Sequence, residues 1–356
     1  MAARASPARV RRAQADVLAH IARLAIAGAG MAGLVAAARA RELGAEPVVY
    51  EKGSRVGGSM LLSSGFAWRY RSFELFREQC PGGDPALQRL IIERFDDALD
   101  WLESLGVELL TRETGNPLTV GGRFDPRQLV GVLGREVRVG ETTDEPAILA
   151  TGGFPARLAR ERGLLLRANR WSEGDGLDRA LERGAATAGD LDEFYGRAMA
   201  AVDEVTEEDF VRLTQLYGRF ATVTSEDGQR RFEGEPSWSE VDLVQQIARW
   251  PGGRAWYTVE PAALDERIRD RSVREMIEAA REAGAPVREE DGRVSVLVRA
   301  GVTQTLGGVL VDERARAAEG LFVAGADVGG ISTGGWSSGL ATALVLGLVA
   351  AESAVS

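Results

Sequence analysis

Three glycines spaced to cradle a phosphate, and a carboxylate spaced to hold a ribose, stand at Gly28-Ala-Gly30-Met-Ala-Gly33 and, about 20 residues on, at Glu51. Gly28 permits a tight turn off the apolar run Leu24-Ala-Ile-Ala. Gly30 lets the backbone approach a pyrophosphate, and Gly33 lets the following helix pack closely on the sheet. That helix, expected from Met31 to Leu43, starts at Met31 and Ala32, so its N-terminus faces the phosphates. Glu51 closes the β-rich run Val48-Val49-Tyr50, with Lys52 beside it. A carboxylate there accepts hydrogen bonds from the adenosine ribose and disfavours the extra phosphate of NADP. The pattern predicts a strand, turn, helix and second strand that bind FAD or NAD.

Composition narrows the chemistry. The 356 residues contain one histidine, His20, one lysine, Lys52, and one cysteine, Cys80. A structural zinc site needs about four Cys or His ligands, and a Ser-His-Asp triad would have to recruit His20 from outside the apparent fold. Neither is expected, and no metal site is predicted. One cysteine leaves no intramolecular disulfide, in keeping with a reducing, cytoplasmic setting. Cys80 reads as a packed or surface thiol. The net charge of −10 argues against a nucleic-acid partner, because phosphate attraction requires a basic surface. The arginine- and alanine-rich opening, Met1 to Arg12, reads as a solvated tail. The apolar run Leu340 to Ala351 is too short for a membrane span and reads as a helix buried beside the cofactor.

Further marks follow in order. They are Lys52-Gly-Ser-Arg55-Val-Gly57-Gly58-Ser59, Ser63-Ser64-Gly65, Ile148-Leu-Ala150-Thr151-Gly152-Gly153-Phe154 and Trp171-Ser-Glu-Gly174-Asp175-Gly176. Toward the end come Gln304-Thr305-Leu-Gly307-Gly308 and Gly320-Leu-Phe-Val-Ala-Gly325-Ala-Asp327. From about Leu24 to the end the chain resembles the flavoprotein-subunit superfamily of fumarate reductases and succinate dehydrogenases, which includes the 3-ketosteroid dehydrogenases.

The resemblance implies an α/β fold: a discontinuous Rossmann-like FAD-binding domain with an inserted α+β capping domain. The expected parts are a tail at 1–23, FAD-binding segments at 24–197 and 304–356, and a cap at 198–303. Within the cap, Glu207 to Tyr217 and Arg267 to Ala283 have helical spacing of apolar residues, Phe220 to Thr224 reads as a strand, and Asp227-Gly228 reads as a turn. Relatives carry a further strand and a β-meander where this chain has only Arg135 to Pro146. That stretch can hold one strand, Glu136 to Val139, and a loop, so part of the sheet is expected to be shortened. The extra apolar start Asp16-Val17-Leu18 has no physical account.

FAD is the implied cofactor. It is expected to be noncovalent, because the respiratory members attach it through a histidine and this chain has none beyond His20. The implied contacts also include Gly57, Gly58 and Ser59 in a small-residue turn, Ser64 and Gly65, Ala150, Thr151 and Gly152, Asp175 and Gly325. Asp327 is expected on a ribityl hydroxyl, or else as a solvated surface carboxylate. Ser338, Gly339 and Leu340, at the start of the last helix, match the positions that face the flavin's pyrimidine ring, where a helix dipole favours the reduced anion.

The implied activity is oxidation or reduction of a CH–CH bond beside a carbonyl, by hydride transfer at flavin N5 with proton transfer. The substrate would be a small apolar ketone or enoate, with an unspecified electron acceptor. The family's substrate groups are altered here. Gln304 stands for one histidine, Arg197 lies near the other, Trp336 replaces a carboxylate-binding arginine, Ser239 falls near the proton-donating arginine, and Thr333 stands for the ketosteroid enzymes' tyrosine. Tyr195 is the candidate for proton transfer, with Arg197 two residues on to favour its phenolate; an aromatic anchor is the plainer role. Arg197 binds a carbonyl or carboxylate, or forms a salt bridge. Tyr70, Gln304, Thr305 and Trp336 are the candidate substrate contacts, with a core role open for Tyr70. A flavin-binding protein that has lost catalysis and an NAD-binding reductase remain as alternatives.

Overall fold

Strands from both chain ends meet in the sheet that carries the glycine-rich turn. The computed structural model describes residues 23–268 and 270–356. Strand β1 (Arg23–Ala27), helix α1 (Met31–Glu42), β2 (Glu46–Glu51), β3 (Val137–Val139) and β4 (Ile148–Leu149) come from the first half. The second half contributes β5 (Phe194–Ala200), β6 (Arg293–Thr305), β7 (Arg316–Ala318), β8 (Leu321–Val323) and α2 (Gly339–Val355). The first sheet runs β7-β8-β4-β1-β2-β3, parallel throughout except for β7. Parallel strands need helical cover on their faces. Helix α2, buried from Ala341 to Ala351, packs against α1. The contact is close enough that a side chain at Gly347 would meet the Ala32 carbonyl. Among the described residues no helix is long and apolar enough to cross a membrane.

The register aligns the C-terminal ends of three strands. Ala27 pairs with Tyr50 on one side and with Leu149 on the other, so the residues that follow, Gly28, Glu51 and Ala150, emerge at one sheet edge. Ligands of open α/β sheets bind outside such carboxyl ends. The short connection after residue 135 does contain one strand. It begins at Val137 because Glu136 is left-handed, with φ 58°, and it forms the sheet edge beside β2.

A second, mainly antiparallel sheet runs β5, β6, Arg254–Val259 and Ala221–Ser225. Residues 197 and 303 both fall inside its paired strands β5 and β6. Two helices expected here differ. Of Glu207 to Tyr217 only Asp209–Arg212 is helical, because the Ala200 N–H donates to Leu213 and the Gln215 N–H to Ala198, drawing the segment onto β5. The second helix starts at Val273 rather than Arg267. Ser272 and Glu275 form a capping box there, and the residues before it make a two-strand ladder, Arg267–Ile268 with Arg271–Ser272. The strand expected from Phe220 begins at Ala221. The basic opening segment, Asp16-Val17-Leu18 and His20 lie outside the described residues.

Candidate cofactor and active site

A cavity of about 1120 Å³ opens at the sheet edge and runs to the second sheet. It exceeds the ~300–1,000 Å³ of an ordinary small-molecule pocket, which leaves room for a cofactor and a substrate together. At the sheet edge it is lined by Gly28, Gly30, Met31, Ala32, Glu51, Lys52, Gly58, Ser59, Ser64, Ala150, Thr151, Gly152, Asp175 and Gly325. Gly28 holds φ +100°, and a side chain there would strike the Ala150 carbonyl. A Cβ on Gly30 would meet nothing within 4 Å. Gly30 is also the N-cap of α1 and has no side chain to cap it, so the first-turn N–H groups, which lack helical partners, face the cavity. The Glu51 carboxylate is buried and accepts from the Ala29 N–H (3.0 Å) and the Gly53 N–H (2.7 Å). Each oxygen keeps a second lone pair for a ribose. Lys52 forms an ion pair with Asp175, and the Ser59 hydroxyl accepts from the Asn169 N–H at 3.0 Å.

Five expected contacts do not line this cavity. Asp327 is neither on a ligand nor at the surface: it is 1 % exposed. Its carboxylate accepts from the Thr151 and Gly153 N–H groups and from the Thr151 hydroxyl. It therefore shapes the Ala-Thr-Gly-Gly turn from beneath. Burial raises its pKa, against the pull of the N–H groups of Gly153 and Thr151. Thr305 is buried as well, and its hydroxyl accepts from Phe154 N–H at 3.5 Å; it buttresses the same turn. Gly33, Gly57 and Gly65 act through the backbone. A Cβ on Gly33 would lie 1.9 Å from the Gly28 carbonyl, and one on Gly65 2.1 Å from the Phe124 carbonyl. Gly57 donates to Ala29 at 2.8 Å.

The other end of the cavity brings together Tyr70, Tyr195, Arg197, Gln304, Trp336, Ser338, Gly339 and Leu340. Ser338 caps α2 by accepting from Ala341 at 3.3 Å. Gln304 lies so close to Gly339 that a Cβ there would be 2.2 Å from its Oε1. Tyr195 stacks on Trp336, with ring centroids 3.6 Å apart and planes 10° from parallel. Tyr70 donates its hydroxyl to the Trp336 carbonyl at 2.7 Å, which fixes the Trp336 backbone; burial raises the Tyr70 pKa. Arg197 is 8 % exposed. Its Nε donates to the Tyr195 hydroxyl and its Nη1 to the Ser239 carbonyl, both at 2.8 Å. Among the described residues nothing accepts the Tyr195 proton. Behind Arg197 lies Glu240, 3.7 Å from Nη1 and fully buried. Glu240 has a left-handed backbone (φ 54°). It accepts the Gly218 N–H through Oε1 at 2.8 Å, while Oε2 has no hydrogen-bond partner.

A family profile described as FAD binding domain matches residues 23–145 and 131–339, an overlap that falls on the shortened connection. The chain belongs to this FAD-binding family. FAD is its cofactor, and the NAD alternative is set aside. A search of curated proteins finds no match. Among solved structures it is similar to the open conformation of a flavocytochrome c3 fumarate reductase, with a TM-score of 0.66 and 19% identity over 99% of this chain and 81% of that one. It is also similar to the 3-ketosteroid-Δ4-(5α)-dehydrogenase of Rhodococcus jostii RHA1 (TM-score 0.65, 16% identity, 94% of this chain and 97% of that one). A third is the 3-ketosteroid Δ1-dehydrogenase of Sterolibacterium denitrificans (TM-score 0.65, 14% identity, 93% and 99%). At these identities the likeness is one of fold.

The residues of this flavoprotein fit the cofactor on their own geometry. Uncapped N–H groups face the cavity at α1, the open space over Gly30 admits a pyrophosphate, and Glu51 stands at the ribose position. Two residues of the site escape sequence reasoning. Asn169 sits next to the Trp171-Ser-Glu-Gly174 turn, and only folding brings its N–H to Ser59. Glu240 follows Ser239, but its left-handed backbone and its approach to Arg197 leave no mark in the sequence. Burial raises the Glu240 pKa, with Arg197 and the Gly218 N–H opposing. For Arg197 burial works against the charge, but Tyr195 and Glu240 outweigh it, so its pKa ends above the ordinary value. Burial pushes the Cys80 thiol up to about 12, so it stays protonated at neutral pH and is no nucleophile.

Proposed function

We propose that this flavoprotein is an oxidoreductase acting on a CH–CH bond beside a carbonyl, with Tyr195 handling the proton. One observation carries the reading: inside the cavity, the Tyr195 hydroxyl is held by a buried guanidinium while its own proton has no acceptor among the described residues. Bound FAD supplies two-electron chemistry at the carbon being oxidised or reduced. The chain's part is to orient a carbonyl substrate and to exchange a proton with it. Tyr195 donates to, or accepts from, the substrate, and Arg197 stabilises the negative charge that builds on the phenol oxygen. Trp336, stacked on Tyr195, offers an apolar face suited to a flat ketone. Arg197 also brings a guanidinium to the backbone of Ser239, the position where the resemblance expects an arginine, although it comes from a different strand.

In this reading the β1-β2-β4-β8 sheet with α1 and α2 forms a discontinuous FAD-binding domain, and residues from about 198 to 303 form the cap. An exposed ion pair between Arg55 and Glu207 at 2.5 Å joins the two. Noncovalent FAD follows from the lack of a histidine after residue 20. The test is an absorption spectrum of the purified protein before and after acid precipitation, followed by anaerobic addition of an enone-forming ketosteroid or of a reduced donor with an enoate. Flavin bands that leave with the acid supernatant, and either bleaching by the ketone or reoxidation of the donor-reduced flavin by the enoate, support the proposal. A flavin that no ketone bleaches and whose reduced form no enoate reoxidises overturns it, in favour of a flavin carrier without catalysis.

A further inference from the structure

Beyond Tyr195, the cavity wall formed by residues from 211–220, 238–240, 267–268 and 270–271 is unusual for so acidic a chain. Arg219, Arg267 and Arg271 all line it, and none has a carboxylate within ion-pair reach among the described residues. Arg271 donates to the carbonyls of Arg212 (2.8 Å) and Thr214 (3.2 Å). Arg267 donates to the Asp270 carbonyl at 2.5 Å. The Arg219 guanidinium lies 4.6 Å over the Trp238 ring. Of the two acids on this wall, Glu240 is engaged by Arg197 and Gly218, which leaves Asp270. Burial lowers the Arg271 pKa despite Asp270 and Glu275, as expected of a half-buried charge without a close counter-ion.

Around these cations the wall is apolar. Val211, Leu216, Phe220, Trp238 and Ile268 line it, and Val211 and Trp238 are 51 % and 45 % exposed. Large exposed apolar groups inside a cavity mark a surface that a ligand covers. The wall also adjoins the Tyr195 centre, since Arg197 bonds to Ser239, next in the chain to Trp238.

We propose that the substrate is an amphipathic anion, an apolar ketone whose end remote from the reacting carbonyl bears a carboxylate bound by Arg219 and Arg271. Val211, Phe220, Trp238 and Ile268 cover its apolar body. This rests on the ketone reading of the Tyr195 centre.

The test uses the FAD-loaded protein and two probes: a 3-oxo-4-ene steroid whose side chain ends in a carboxylate, and its methyl ester. Binding is measured by equilibrium dialysis, and flavin bleaching is followed separately under anaerobic conditions. The acid is expected to bind at least tenfold more tightly than the ester. That advantage should shrink as salt rises and fall below threefold in both Arg219→Gln and Arg271→Gln. Arg219 is exposed and its side chain donates to no backbone carbonyl among the described residues, so its variant is expected to keep the fold, as a melting curve checks. Equal affinity for acid and ester, an advantage that survives both substitutions, or no binding of either probe overturns the inference. Bleaching by both probes at equal affinity does so while leaving the ketone reading intact. Selective binding of the acid without bleaching supports the anion subsite and counts against oxidation of that ketone; the ketone reading itself falls only if no ketone or enoate exchanges electrons with the flavin.

Discussion

Tyr195 and Glu240 show how one hydroxyl can be prepared by groups around it. Arg197 fixes the Tyr195 oxygen as an acceptor, so the hydroxyl proton remains for the substrate. Tyr195→Phe should keep FAD and the Trp336 stack but lower kcat by about 10²–10⁴-fold, the usual contribution of a positioned acid or base; anaerobic flavin bleaching by a turned-over ketone measures it. Glu240 acts through Arg197 and is a positioning residue. Its carboxyl has a raised pKa in the fold, so the native state holds that proton more tightly than the unfolded chain. Its contribution to stability is therefore fully present below the unfolded value of about 4.3 and is lost as pH rises through the higher folded value. Glu240→Gln should flatten that part of the stability–pH curve, read by chemical denaturation from pH 4 to 8. An unchanged slope would remove Glu240 from this role.

At the scale of elements, the strand–turn–helix unit separates glycines that serve the fold from a glycine that serves the ligand. Gly33 touches the Gly28 carbonyl, whereas the space over Gly30 is empty. The N-cap of α1 at Gly30 has φ −75°, a conformation open to any residue. Gly30→Ala should thus leave the unfolding free energy of the FAD-free protein within about 0.5 kcal/mol of the parent and abolish or sharply weaken FAD uptake. Gly33→Ala should lower both, because α1 must move off β1. Thermal melting and fluorescence titration with FAD, run on both variants, decide this. The same unit was legible in the sequence, because a turn and a helix start are local. The segment Glu207 to Tyr217 was not. Its apolar spacing suits a helix, but two hydrogen bonds with β5, a strand several residues away in the chain, end the helix after Arg212.

At the scale of the whole molecule, the cavity proposed for FAD is lined by residues from both ends of the chain, so cofactor binding should be visible as global stability. Saturation at a hundredfold excess over Kd should add about 2.7 kcal/mol, measured as the difference between denaturation midpoints with and without FAD. No gain would mean that the cofactor bridges nothing the fold depends on. The sequence alone determined the cofactor class, the order of the β1, α1 and β2 unit and the burial of the last helix. These follow from residue types, short spacings and apolar runs, which act within a few turns of chain. Only the tertiary structure decided that Asp327 and Thr305 support a turn rather than touch a ligand, that Arg197 takes a place near Ser239, and that Glu240 lies behind it. Those outcomes depend on which side chains from residues 151, 197, 240 and 327 meet after the two sheets have packed. No local pattern encodes such meetings, because burial and hydrogen bonding between distant segments exist only in the folded chain.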